Sequence, residues 1–135
     1  MPEKLLNSAK VRVFRLNYEE VIRKVRAYAR GLVVKNLAET VILIGSLAKG
    51  NYSPFSDIDL LIIVKEAKGR PIDRIPDYIS SQLPLDVEPR VLSEEEFLDL
   101  ARKKRRLIKE ALENGILLAG DVNVLLKAKK LMYSA

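Results

Sequence analysis

The chain has 135 residues, 48% of them apolar, which is enough for one compact domain with its own core and too few for two. It contains no cysteine and no histidine, which excludes a disulfide framework, thiolate or histidine zinc sites, Cys nucleophiles and Ser-His-Asp chemistry. Twenty-four basic residues against eighteen acidic ones leave a net charge of +6, which fits an anionic partner (nucleotide, nucleic acid or acidic protein) or a solvated surface laced with salt bridges.

No run is long enough to span a membrane, and Met1-Pro2-Glu3-Lys4 lacks the apolar stretch of a secretory signal. The expectation is a cytoplasmic protein with no membrane association. No repeat or linker divides the sequence, so residues 1–135 read as a single domain.

Asn17 with Glu20 predicts a capped helix start. Tyr18, Val21, Ile22, Val25, Tyr28, Ala29, Leu32 and Val33 then follow helical spacing, giving a helix over about 18–35. Val41-Ile42-Leu43-Ile44 is a short apolar run rich in β-branched residues, a buried strand ending at Gly45. Ser46 to Lys49 fits one helical turn stopped by Gly50. Asn51 to Ser56 is turn-forming, and a second strand runs from about Asp57 to Val64. After Gly69-Arg70-Pro71 a modest helix carries Ile72, Ile75 and Ile79.

Leu85 to Leu92 reads as a third strand, kinked or at an edge because Pro89 cannot donate to a ladder. Ser93 with Glu96 is a second capping box, opening one helical stretch from about 94 to 114. Glu94, Glu95 and Glu96 sit in its first turn, where they favour the helix dipole rather than a metal. The cations Arg102-Lys103-Lys104-Arg105-Arg106 would be spread around that helix as a solvated face. Ile116 to Ala119 adds a short strand, and Asp121 opens a last helix over about 121–133. The class is α/β (α+β), a small mixed β-sheet flanked by helices.

Chemistry concentrates between Gly45 and Asp59. Asp57 and Asp59 point to the same side of a strand because side chains alternate. Paired carboxylates suit a hard divalent cation such as Mg²⁺, which is usually held by one or two carboxylates plus substrate phosphates. With no histidine, catalysis falls to carboxylates, Lys, Arg, Tyr, Ser or a metal, and phosphoryl chemistry by positioning and electrostatics fits best. Gly45 lets backbone approach a phosphate closely, and Ser46 can donate from its hydroxyl and backbone N–H. Lys49 could pair with a triphosphate or lie in solvent. Tyr52 and Phe55 could lie near a base or pack the loop down.

The segment Gly45-Ser46-Leu47-Ala48-Lys49-Gly50 followed by Ser56-Asp57-Ile58-Asp59-Leu60 resembles the active-site signature of the DNA polymerase beta-like nucleotidyltransferase superfamily. More narrowly it resembles the minimal nucleotidyltransferase domains, with the element order matching over about residues 18–118. The resemblance implies attack of an acceptor hydroxyl on the α-phosphorus of a nucleoside triphosphate, ATP by preference, with release of pyrophosphate. Two Mg²⁺ ions about 3.5–4 Å apart would stabilise the attacking and leaving oxygens. Asp57 and Asp59 would be metal ligands, and Gly45, Ser46 and Lys49 would hold the nucleotide.

The superfamily also uses a third carboxylate from a neighbouring strand, as ligand and base. Asp86 and Glu88 are both candidates. Asp86 has the more usual residue type and is the preferred metal ligand; Glu88 has the more usual distance to the helix start at Ser93.

The resemblance further implies a protein acceptor, such as a HEPN-like helical partner of a toxin–antitoxin module, with a homo-oligomer as another assembly. A small-molecule acceptor is the second choice for transfer. The alternative is an antitoxin-type binding module that neutralises its partner by occlusion without turnover. Nucleic acid comes last, because only charge argues for it.

Overall fold

The apolar runs of the chain assemble into a sheet with helices on both faces. A computed structural model describes residues 17–53 and 55–134. In chain order they form α1 (Tyr18–Val34), β1 (Thr40–Ile44), the short helix α2 (Gly45–Lys49), β2 (Ile58–Val64), a 3₁₀ helix (Pro71–Tyr78), β3 (Val87–Ser93), α3 (Glu94–Arg102), α4 (Arg106–Asn114), β4 (Ile116–Gly120) and α5 (Asn123–Tyr133). The start Met1 to Lys4 and Pro54 of the turn after Gly50 lie outside the described residues.

The sheet order is β3-β2-β1-β4. β1 pairs antiparallel with β2 and with β4, whereas β2 and β3 are parallel. β3 is thus an edge strand, where Pro89 is tolerated. Alternation divides the core. Val41, Leu43, Leu60 and Ile62 pack with Val21, Val25, Ala29 and Leu32 of α1. Ile42, Ile44, Leu61, Ile63 and Leu92 pack on the other face with Phe97, Ala101, Ile108, Ala111, Ala128 and Met132 from α3, α4 and α5. No helix is long and apolar enough to cross a membrane.

Four details depart from expectation. Asn17 is the N-cap of α1 but makes no side-chain capping bond; Glu20 pairs with Arg23 and Lys24 instead. The segment after Gly69 is a 3₁₀ helix containing Pro76, not an apolar-faced α-helix. Ile72 and Ile79 are exposed, while Arg74 and Tyr78 are buried. Burial of Arg74 is possible because its guanidinium donates to the carbonyls of Lys68, Gly69 and Val91 and to Glu96 at 2.7 Å.

The largest departure is the stretch 94–114, which is two helices. Ser93 and Glu96 do form the expected capping box, Glu96 N–H donating to Ser93 Oγ at 3.1 Å and Ser93 N–H to Glu96 Oε1 at 2.8 Å. After Arg102 the chain breaks, with Lys104 at φ 56°. The five cations therefore form an exposed turn rather than a ring around one helix. A side chain with a Cβ pays to sit in the left-handed region. Lys104→Gly is expected to raise stability by about 0.5–1 kcal/mol, read as a higher urea midpoint at unchanged slope.

Candidate active site

Three backbone pairings gather the site at one end of the sheet. Ile44, the last residue of β1, lies opposite Asp59 of β2. Asp59 lies opposite Glu88 of β3. Ile58 N–H donates to the Asp86 carbonyl at 2.7 Å, just below that rung. Strand partners in register point to the same face, so Asp59 and Glu88 meet at the sheet end where Gly45 turns the chain.

Gly45 serves two steric needs. Its φ is +76°, and a Cβ there would run into the Asp59 carboxyl, with Cγ only 3.0 Å away. Only glycine lets the carboxylate lie directly against the turn. The short helix α2 then carries Ser46 outward and stops at Gly50, φ 81°.

Ser46 is held rather than free. Its hydroxyl bonds to that of Ser56 at 3.0 Å. Ser56 Oγ also accepts from Ser53 N–H at 2.8 Å, so the turn before Asp57 is tied to the Gly-Ser turn. Tyr18 braces the same region from α1, its hydroxyl donating to the Leu47 carbonyl at 2.8 Å. Its ring stacks on Tyr52 at 4.4 Å between centroids. Phe55 is 68% exposed. Tyr18 carries no signal in the sequence as a site residue; Ser56 stands within the signature segment Ser56-Asp57-Ile58-Asp59-Leu60, without a role of its own.

The electrostatics are those of a site short of positive charge. Burial, a carboxyl–carboxylate contact with Glu88, and the charges of Glu88 and Asp57 push the Asp59 carboxyl up to about 6, against the pull of Arg90. Asp57 and Asp59 are half-buried, and Asp86, Glu88 and Arg90 are exposed.

Of the two alternatives, the register brings Glu88 of β3 to Asp59 and leaves Asp86, just before β3, a rung away with its carbonyl accepting from Ile58. The expected convergence of three carboxylates is incomplete. Among the described residues no three acidic groups form a ready cage for a cation. The reason is positional, since Asp57 precedes the first paired residue of β2. Lys49 turns toward α4, its Nζ 2.6 Å from Glu110.

An open set of two neighbouring carboxylates with a third beside it fits Mg²⁺, which keeps sites for water and phosphate oxygens. The raised Asp59 carboxyl is an observation of the same kind, a charge imbalance that a cation would relieve.

The family model described as Nucleotidyltransferase domain matches residues 22–118. Over 49 residues the chain is 39% identical to Putative protein adenylyltransferase MJ0141 of Methanocaldococcus jannaschii, covering 35% of this chain and 50% of that protein. The chain thus spans about half the length of this curated relative. A solved structure, "Crystal structure of the toxin-antitoxin with AMP-PNP", superposes with a TM-score of 0.52 over 76% of this chain and 79% of that one. At 19% identity that likeness speaks for the fold. The matched stretch runs from α1 into β4 and encloses Gly45, Ser46, Asp57, Asp59 and Glu88, so the chain belongs to the nucleotidyltransferase domain family.

Proposed function

We propose that this domain transfers AMP from ATP to a hydroxyl of a partner protein and releases pyrophosphate. The observation that carries the reading is the meeting of Asp59 with Glu88 against the side-chain-free turn at Gly45. The protein acceptor is supported by the adenylyltransferase name of the relative matched over half its length. ATP is supported by the adenine nucleotide named with the structural neighbour.

In this reading Asp57 and Asp59 hold Mg²⁺, and Glu88 rather than Asp86 supplies the third carboxylate. Two Mg²⁺ ions, when bound, neutralise the triphosphate and the developing charge on attacking and leaving oxygens. Gly45 admits the triphosphate close to backbone, and Ser46, set by Ser56, donates to its phosphate oxygens.

The acceptor oxygen forms a bond to the α-phosphorus, and the bond from that phosphorus to the bridging oxygen breaks. The electron pair leaves with pyrophosphate, and the hydroxyl proton passes to Glu88, the third carboxylate.

Calorimetry tests the nucleotide half of the proposal. ATP should bind with Mg²⁺ present and lose at least about tenfold in affinity under chelator, because the triphosphate otherwise faces unneutralised carboxylates. Binding indifferent to chelator would rule this site out. Labelled ATP with a HEPN-like helical partner tests the acceptor half, as label moving onto that partner.

A second reading, neutralisation of the partner by occlusion, is supported by the toxin–antitoxin named in the structural match. It predicts that partner binding survives loss of Asp59, with no label transferred by the intact chain.

A further inference from the structure

The five cations between α3 and α4 stand at the same end of the molecule as the site. β3 and β2 run parallel, with Ser93 opposite Val64 at the far end from Asp59. α3 starts at Glu94 and packs Phe97 and Ala101 onto Leu61, Ile63 and Leu92. Its nine residues return about 14 Å along strands that are about 20 Å long. Arg102 to Arg106 therefore emerge above the face that carries Asp59, Glu88 and Arg90. A second link agrees with this placement. Glu110, one helical turn after Arg106, pairs with Lys49 of α2, the element that follows Gly45.

The ridge violates local preferences in three consecutive residues. Lys104 takes a left-handed conformation that favours glycine. Arg105 is the N-cap of α4 and makes no capping bond, and the first turn holds no acidic residue. Arg105 and Arg106 place positive charge where the helix dipole disfavours it. The same chain caps α3 with Ser93, Glu96 and three glutamates, so it has the means to do better. Of the five cations, one has an acidic partner among the described residues, Lys103 with Asp99 at 2.9 Å. Lys104 donates to the Ser134 carbonyl at 2.9 Å, a neutral acceptor. Locally costly residues gathered beside a reactive site point to a role outside folding.

We infer that Arg102–Arg106 is a docking ridge for the acceptor, which is a protein segment bearing its hydroxyl among acidic side chains. The inference deepens the transfer reading above and rests on it. Charge complementarity selects an anionic partner. Protein is favoured over nucleic acid because the run carries no aromatic side chain on which bases could stack. The nearby Tyr133 has its hydroxyl on Glu113.

The test is fluorescence anisotropy on the full chain with a labelled random copolymer of glutamate and tyrosine, run beside polyuridylate. The ridge variant is R105D/R106E. The control R30E/K35E makes the same charge change on and just after α1, across the sheet. Wild type should bind the copolymer with an affinity that falls with salt. The ridge variant should weaken binding at least about tenfold and the control less than about twofold.

The ridge variant should also melt at a higher temperature than wild type and bind Mg²⁺-ATP unchanged, so its loss cannot be ascribed to unfolding or to the nucleotide site. Equal loss in both variants would reduce the effect to net charge and overturn the ridge. Retained binding in R105D/R106E, or tighter binding of polyuridylate than of copolymer by wild type, would overturn it as well. Copolymer binding that depends on the ridge, without label reaching its tyrosines from ATP, would uphold the surface and count against protein adenylylation.

Discussion

Asp59→Asn is expected to lower nucleotidyl transfer by at least about a thousandfold, because in the proposed mechanism it removes a charged ligand of the metal that neutralises the transferring phosphate. The same substitution should leave the fold intact and make the nucleotide-free protein more stable at neutral pH. Its sign follows from proton linkage. The folded protein holds the Asp59 carboxyl at about 6 against an ordinary value of 3.8, so between those values the folded state binds more protons than the unfolded one. Stability from this group is fully present below about pH 4 and is lost as pH rises through about 6. Above that, the wild-type chain bears an unfavourable cluster of Asp57, Asp59 and Glu88 that the asparagine relieves. Melting temperatures across pH 4 to 8 should show the variant gaining on wild type by a few degrees toward the alkaline side. Saturating Mg²⁺-ATP should stabilise wild type and not the variant. A folded Asp59→Asn protein with undiminished transfer would refute the assignment.

Much of this was legible because the responsible signals are local. The 3.6-residue spacing from Tyr18 to Val33 and the unbroken apolar runs at Val41 and Leu60 each depend on a few neighbouring residues, and the structure has them as α1, β1 and β2. The break between α3 and α4 was hidden because apolar spacing continues from Ala101 to Ile108 across the cations, and Lys104 is not a residue type that marks a left-handed turn. Ile72, Ile75 and Ile79 imitate a helix face, yet Pro71 and Pro76 favour a tighter coil that buries Arg74 through long-range partners.

The third carboxylate is a matter of register. Asp86 and Glu88 share one face, so alternation cannot separate them. Their heights along β2 depend on how the chain crosses residues 79–86, which carries no periodic signal. Lys49 illustrates the same limit, since its partner Glu110 is 61 positions further on and belongs to a different helix.

Gly45→Ala tests whether the turn and the carboxylate are one device. Two costs are expected. Alanine at φ +76° carries backbone strain of about 1–2 kcal/mol, and its Cβ must push the Asp59 carboxyl away from the turn. A displacement of that order at a reacting centre costs about a hundredfold in rate even when the protein folds. A double-mutant cycle with Asp59→Ala separates the two contributions. Backbone strain stays in either background, whereas the overlap with the carboxyl exists only while that group is present, leaving in Asp59→Ala just the 3.2 Å approach to the Cβ of residue 59. Gly45→Ala should therefore destabilise the wild-type chain more than it destabilises the Asp59→Ala chain, as measured by urea unfolding. Equal costs in the two backgrounds would mean that Gly45 serves the turn alone and that Asp59 does not depend on the missing Cβ. A surplus in the wild-type background, accompanied by loss of Mg²⁺-dependent ATP affinity in Gly45→Ala, ties the glycine to the placement of the metal-binding carboxylate.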